Sequence, residues 1–152
     1  MSRVEVETGD TVIVQQKIGQ VGSTGVALGA HLHLEVRIGD PYDYGSTYNP
    51  DLWLRPWATY GTLAGRIYDK DGARVYGAKI TIQPVRDGIG RIAYSYADDT
   101  VNPDPYYGEH FTHGDLRAGE YQVIVRVRDV VWFKQPVTIE DGKTSWIEIR
   151  LK

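Results

Sequence analysis

Residues 121–128 alternate along their whole length, with Tyr121, Val123, Val125 and Val127 on one side and Gln122, Ile124, Arg126 and Arg128 on the other. A period of two marks a pleated strand, whose successive side chains leave on opposite faces. The pattern recurs at residues 31–38, where Leu32, Leu34, Val36 and Ile38 alternate with His31, His33, Glu35 and Arg37. No stretch of about twelve residues carries a clean apolar period of 3.6, so amphipathic helices are not expected. Composition agrees: 17 glycines, 11 tyrosines and 4 tryptophans stand against 1 methionine, a bias toward turns and half-buried pleated surfaces. The chain is predicted to be all-β.

The pattern changes character at residues 58/59. In the first part, residues 11–14 are a strand candidate, and Gly19, Gly22 and Gly25 fall within one stretch of seven positions. Such spacing predicts tight turns or close backbone approaches. From Asp40 to Trp57 the chain turns aromatic and proline-rich, with Pro41, Tyr42, Tyr44, Tyr48, Pro50, Trp53 and Pro56. Residues before proline are pushed away from the helical region, so this reads as an irregular wrap closing a first domain, 1–58. In the second part, Leu63, Gly65 and Ile67 alternate with Ala64, Arg66 and Tyr68, and Ala78, Ile80 and Ile82 line one face of a later strand. Residues 91–97, 131–139 and 145–151 are further strand candidates, with turns expected at Asp71–Gly72 and Asp141–Gly142. Short strands at this spacing predict a seven-strand-like β-sandwich over 59–152.

Several functions are disfavoured. Net charge is −3, from 17 basic and 20 acidic side chains, which does not suit nucleic-acid binding by counterion release. No apolar run approaches the roughly 18 residues of a membrane span, and Met1–Ser2 does not open a secretory leader. The chain contains no cysteine, so disulfides, thiolate metal sites and cysteine nucleophiles are excluded.

On a pleated strand His31 and His33 share a face, about 7 Å apart, with Leu32 and Leu34 turned to a core. Two imidazoles so placed can bind a metal, or act as one ligand and one acid/base; they can equally be solvent-facing strand histidines. Their surroundings are more specific. Gly9-Asp10-Thr11-Val12, the stretch from Gly19 to Gly25, Gly29-Ala30-His31-Leu32-His33-Leu34-Glu35 and the exit Asn49-Pro50 with Trp53-Leu54 together resemble the C-terminal half of the lysostaphin/LytM-type zinc metallopeptidases. The resemblance covers about residues 4–56. It implies a compact antiparallel β domain and zinc-dependent hydrolysis of peptide bonds, commonly in peptidoglycan cross-links. By position, His33 matches that family's third zinc ligand and His31 its catalytic histidine.

The family's other zinc ligands, a histidine and an aspartate, and a further catalytic histidine precede this stretch; here the remaining histidines are only His110 and His113. The resemblance therefore implies an incomplete metallopeptidase domain, inactive alone. Zinc would belong to the complete parent and would not be retained by these residues. A peptide or peptidoglycan substrate, an extracellular or cell-envelope location, and a homodimer formed through exposed strand edges are the corresponding expectations. The alternative is a non-catalytic cell-wall or protein-binding scaffold with a degenerate peptidase-like domain. A similar cadence occurs in biotinyl and lipoyl carrier domains, but Lys17, the one lysine of this half, lacks their Met-Lys context.

In the second part, Gly65-Arg66-Ile67-Tyr68-Asp69, Asp71-Gly72-Ala73, Gly77-Ala78 and Leu116-Arg117-Ala118-Gly119-Glu120-Tyr121-Gln122-Val123 resemble the carboxypeptidase regulatory-like (transthyretin-like) β-sandwich. That likeness implies an accessory or binding module. His110 and His113 are expected at the surface. Asp98, Asp99, Asn102 and Asp104 are expected in a solvated loop, since they lack the ligand order of a calcium loop. Tyr94, Tyr96, Tyr106 and Tyr107 could stack on sugars or form the outer face of the sandwich.

Overall fold

The computed structural model describes residues 2–23 and 29–152 and falls into two compact units, Met1–Leu34 and Glu35–Lys152. It is all-β, built from several mostly antiparallel sheets with no barrel. Among the described residues no helix is long and apolar enough to cross a membrane.

In the first unit, β1 (Arg3–Val4) pairs antiparallel with β2 (Gly19–Gln20). The ladder is extended by Ser2 N–H to Gln20 O at 2.9 Å and Glu5 N–H to Ile18 O at 3.0 Å. Between the two strands, the Asp10 carboxylate accepts from Glu7 N–H at 2.8 Å while Asp10 N–H donates to Glu7 O at 3.2 Å, closing a turn through Gly9 at φ 96°. Gly22 has no room for a side chain: a Cβ there would lie 2.6 Å from Ser2 N. That close approach accounts for one glycine of the motif; Gly25 lies outside the described residues.

The strand expected at 31–38 does not form as one element. His31 makes a single bridge to Gly22, Val36–Arg37 pairs elsewhere, and residues 32–35 are not in a ladder. Leu32 and Leu34, expected against a core, are 61 % and 50 % exposed. No described residue of this unit is buried, and Ile13 and Val14 are 74 % and 89 % exposed. The strand expected at residues 11–14 is likewise absent. An alternating sequence adopts a regular pleat only when neighbouring strands satisfy its backbone and cover one face.

The second unit opens with β3 (Val36–Arg37) antiparallel to β4 (Thr47–Tyr48). Two short 3₁₀ turns, Tyr44–Ser46 and Pro50–Leu52, are capped by the side chains of Asp43 and Asn49. Seven strands follow: β5 (Tyr60–Tyr68), β6 (Lys79–Pro84), β7 (Arg91–Tyr94), β8 (Phe111–Arg117), β9 (Gly119–Val127), β10 (Val130–Ile139) and β11 (Thr144–Arg150). They form a four-stranded sheet ordered β10-β9-β6-β7 and a three-stranded sheet ordered β11-β5-β8.

One core joins the two sheets. Ile80, Ile82, Val123 and Val125 come from the first sheet, and Leu63, Ile67, Phe111 and Ile149 from the second, all at 0 % exposure. The expected faces of 78–82 and 121–127 are therefore observed. Pro136 lies on the edge strand β10, where a missing backbone donor is tolerated. Both expected turns form, and at each the chain passes to another sheet. Asp71–Gly72 does reverse the chain, bridging Tyr68 to Arg74, but β5 and β6 belong to different sheets. After Asp141–Gly142 the chain likewise changes sheet, and β11 runs parallel to β5. Gly65 leaves room on both sides of β5, since a Cβ there would run into Ile147 O of β11 and lie 2.8 Å from the Phe111 ring of β8.

The wrap at 40–57 belongs to the same compact unit as the sheets. Asn49 Nδ2 donates to Thr112 Oγ1 at 2.7 Å, and Asp51 accepts from the Thr112 hydroxyl at 3.0 Å and from Gly114 N–H at 3.1 Å. Asn102 donates to the backbone carbonyls of Gly45 and Thr47. The Asn49 and Asp51 bonds fasten the Asn49-Pro50 exit to β8, and the Asn102 bonds fasten residues 45–47 to the loop before it.

Candidate functional site

His31 and His33 are both exposed. His31 Nδ1 lies 3.0 Å from Gly29 O. A carbonyl only accepts, so Nδ1 is the donor in this bond, and Nε2 is the ring nitrogen that would ligate a metal. Glu35, next in the motif, accepts from Arg37 at 2.7 and 2.5 Å within the second unit. The Arg37 guanidinium also stands 4.4 Å from the centre of the Tyr44 ring.

A catalytic zinc takes three protein ligands and leaves a further position to water. Among the described residues no group of three or more His, Cys, Asp or Glu side chains comes together. Two acidic residues of the first unit are engaged elsewhere: Glu5 pairs with Lys17 at 3.0 Å, and Asp10 caps its own turn. His31 and His33 thus do not fit a catalytic zinc by themselves.

The other sequence candidates serve the second unit. His110, expected at the surface, is 2 % exposed. Its Nδ1 accepts from Ile67 N–H at 3.2 Å, its ring meets Tyr68 edge-on at 5.3 Å, and its Nε2 has no hydrogen-bond partner among the described residues. Burial, together with the nearby Arg74 and Arg66 cations, holds its pKa below the usual histidine value. His113 is half-buried. The loop expected to be solvated is partly structural, because Asp104 is 9 % exposed and accepts from Tyr106 N–H and Tyr107 N–H at 2.8 and 3.0 Å.

A polar cluster not apparent in the sequence lies beside that loop. Glu109, at 0 % exposure, accepts from the Tyr96 hydroxyl at 2.5 Å and from Asp104 N–H at 2.8 Å. Burial, and then the Glu109 hydrogen bond, pushes the Tyr96 phenol far above its ordinary pKa, so Tyr96 stays protonated as a donor. The neighbouring Asp98–Asp104 stretch carried a polar signal, but nothing local marked Glu109 as buried.

No curated protein matches the chain. Among solved structures, a crystal structure described as a "putative carbohydrate binding protein" from Pseudomonas aeruginosa is 11 % identical, covering 66 % of this chain and 94 % of that one at a TM-score of 0.40. Residues 1–50 match the model of peptidase family M23. Over that stretch, about a third of its length, the chain is therefore similar to a zinc-dependent metallopeptidase family, and the stretch includes His31 and His33.

Proposed function

We propose that residues 1–58 are part of a lysostaphin/LytM-type zinc metalloendopeptidase acting outside the cell on peptide bonds of peptidoglycan cross-links. Residues 59–152 then form its accessory module, of the carboxypeptidase regulatory-like kind. The observation that carries the reading is the family M23 match over residues 1–50. In this reading His33 is one metal donor, His31 is the proton-carrying histidine, and the remaining donors come from polypeptide outside these 152 residues. The uncovered apolar side chains of the first unit, Ile13, Val14, Leu32 and Leu34 among them, support it, since they suit a β fold awaiting further strands. The incomplete donor set favours a second reading, a non-catalytic cell-wall or protein-binding scaffold.

Zinc content separates the two. The polypeptide encoded by the whole reading frame around these residues is expected to keep one zinc through desalting and to release cross-link peptides from peptidoglycan. Both properties are lost on His33→Ala, whereas His31→Ala keeps the zinc and loses the hydrolysis. Zinc content unchanged by His33→Ala contradicts the metallopeptidase reading.

A further inference from the structure

On the outer side of the β11–β5 seam, Trp146, Glu148 and Arg150 stand beside Ala64, Arg66 and Tyr68 in register. The Tyr107 and Trp146 rings stack at 5.9 Å with 26° between their planes, and Tyr106 meets Tyr107 edge-on at 5.0 Å. The Arg66 guanidinium lies 5.1 Å from the Trp146 ring centre, and Arg150 lies 5.2 Å from that of Tyr68. The result is a strip of aromatic rings interleaved with charged groups. Tyr106 is 86 % and Trp146 39 % exposed.

The strip is held in place from beneath. Arg66 donates to Gly108 O at 2.9 Å and to Tyr107 O, while Gly108 takes φ 58°. The Tyr106–Tyr107 backbone hangs from Asp104, whose own N–H is held by buried Glu109. Arg150 is oriented by Glu148 at 2.8 Å. The Tyr107 and Trp146 rings, held by their stacking and by Arg66, lose little freedom when something settles on them.

We propose that this strip is a binding surface for a saccharide chain. Sugar rings present flat C–H faces that rest on aromatic faces, and hydroxyl edges that both donate and accept. Glu148 supplies an acceptor and Arg150 supplies donors beside the rings, Arg66 adding only the N–H groups not engaged by the Tyr107 and Gly108 carbonyls. A protein-docking core is depleted of charge, whereas half of the outward seam positions are Arg66, Glu148 and Arg150. Two arginines beside one glutamate are too few for nucleic-acid binding by counterion release. The inference concerns the second unit alone and stands independently of the peptidase reading.

The test is calorimetric titration of the 152-residue chain with β-1,4-linked N-acetylglucosamine hexamer, with cellohexaose, and with solubilised peptidoglycan glycan strands freed of their peptides. Binding to at least one probe is expected, weakened about tenfold by Trp146→Ala and by Tyr106→Ala. The Tyr106 side chain is mostly in solvent, so Tyr106→Ala should leave the melting temperature unchanged and separates lost contact from lost fold. Absence of binding to all three probes overturns the proposal. So does binding that neither substitution weakens, or a self-association or protein contact that the same substitutions abolish in the absence of saccharide binding.

Discussion

Phe111→Ala is expected to destabilise the unit Glu35–Lys152 by about 3–5 kcal/mol, the range for removing a buried aromatic side chain. Phe111 is fully buried and lies at the start of β8, in the core shared by both sheets. Its ring fills space that Gly65 leaves free, and no side chain at 65 can swing in to refill it. The walls on that side are the backbones of β5 and β11, locked in a continuous parallel register, so the cavity cannot collapse cheaply. Domains of this size have net stabilities of about 5–15 kcal/mol, and the variant should sit near the edge of folding. Urea unfolding followed by far-ultraviolet circular dichroism checks this. A loss below about 1 kcal/mol would mean that the ring is not enclosed as described.

Glu109→Ala is expected to cost about 2–4 kcal/mol, because it strands one buried and one half-buried donor, a buried donor left unsatisfied costing about 1–3 kcal/mol. Those donors are the Tyr96 hydroxyl and Asp104 N–H, and the side chain that serves them is 0 % exposed. Glu109→Gln is the informative control. Its amide oxygen can still accept from Asp104 N–H, and its NH₂ can donate to Tyr96 once that hydroxyl rotates to accept. The glutamine variant should therefore stay within about 1 kcal/mol of the parent. Equal losses for alanine and glutamine in urea unfolding would show that shape, rather than hydrogen bonding, makes Glu109 necessary.

The strands of the second unit were legible because local pattern and tertiary setting agree there. Residues 121–127 alternate in sequence, and β9 lies between β10 and β6 with one face on the core. Residues 31–38 carry the same alternation, yet only Val36–Arg37 enters a ladder beyond the single bridge at His31. Periodicity says which face would be buried; it does not supply the strands that bury it. The metallopeptidase resemblance was legible in the spaced Gly9-Asp10, Gly29 and His31-Leu32-His33 elements, and the family match covers the same stretch. His110 was misread because its neighbours Glu109 and His113 look like surface residues. Its burial comes from Ile67 and Tyr68, more than forty residues earlier in the chain. The Arg66–Tyr107–Trp146 arrangement is assembled from three distant stretches, and the parallel β5–β11 pairing that creates it leaves no local signature.

His31 and His33 are exposed, and among the described residues no group of three or more His, Cys, Asp or Glu side chains could hold a metal ion. The direct measurement is zinc per chain by elemental analysis, after the 152-residue protein is loaded with excess zinc and desalted without chelator. The predicted result is zinc no higher than the buffer blank, because the single donor His33, even with His31 beside it, falls short of the three protein ligands that a catalytic zinc takes. One zinc retained per chain, and lost on His33→Ala, would contradict it.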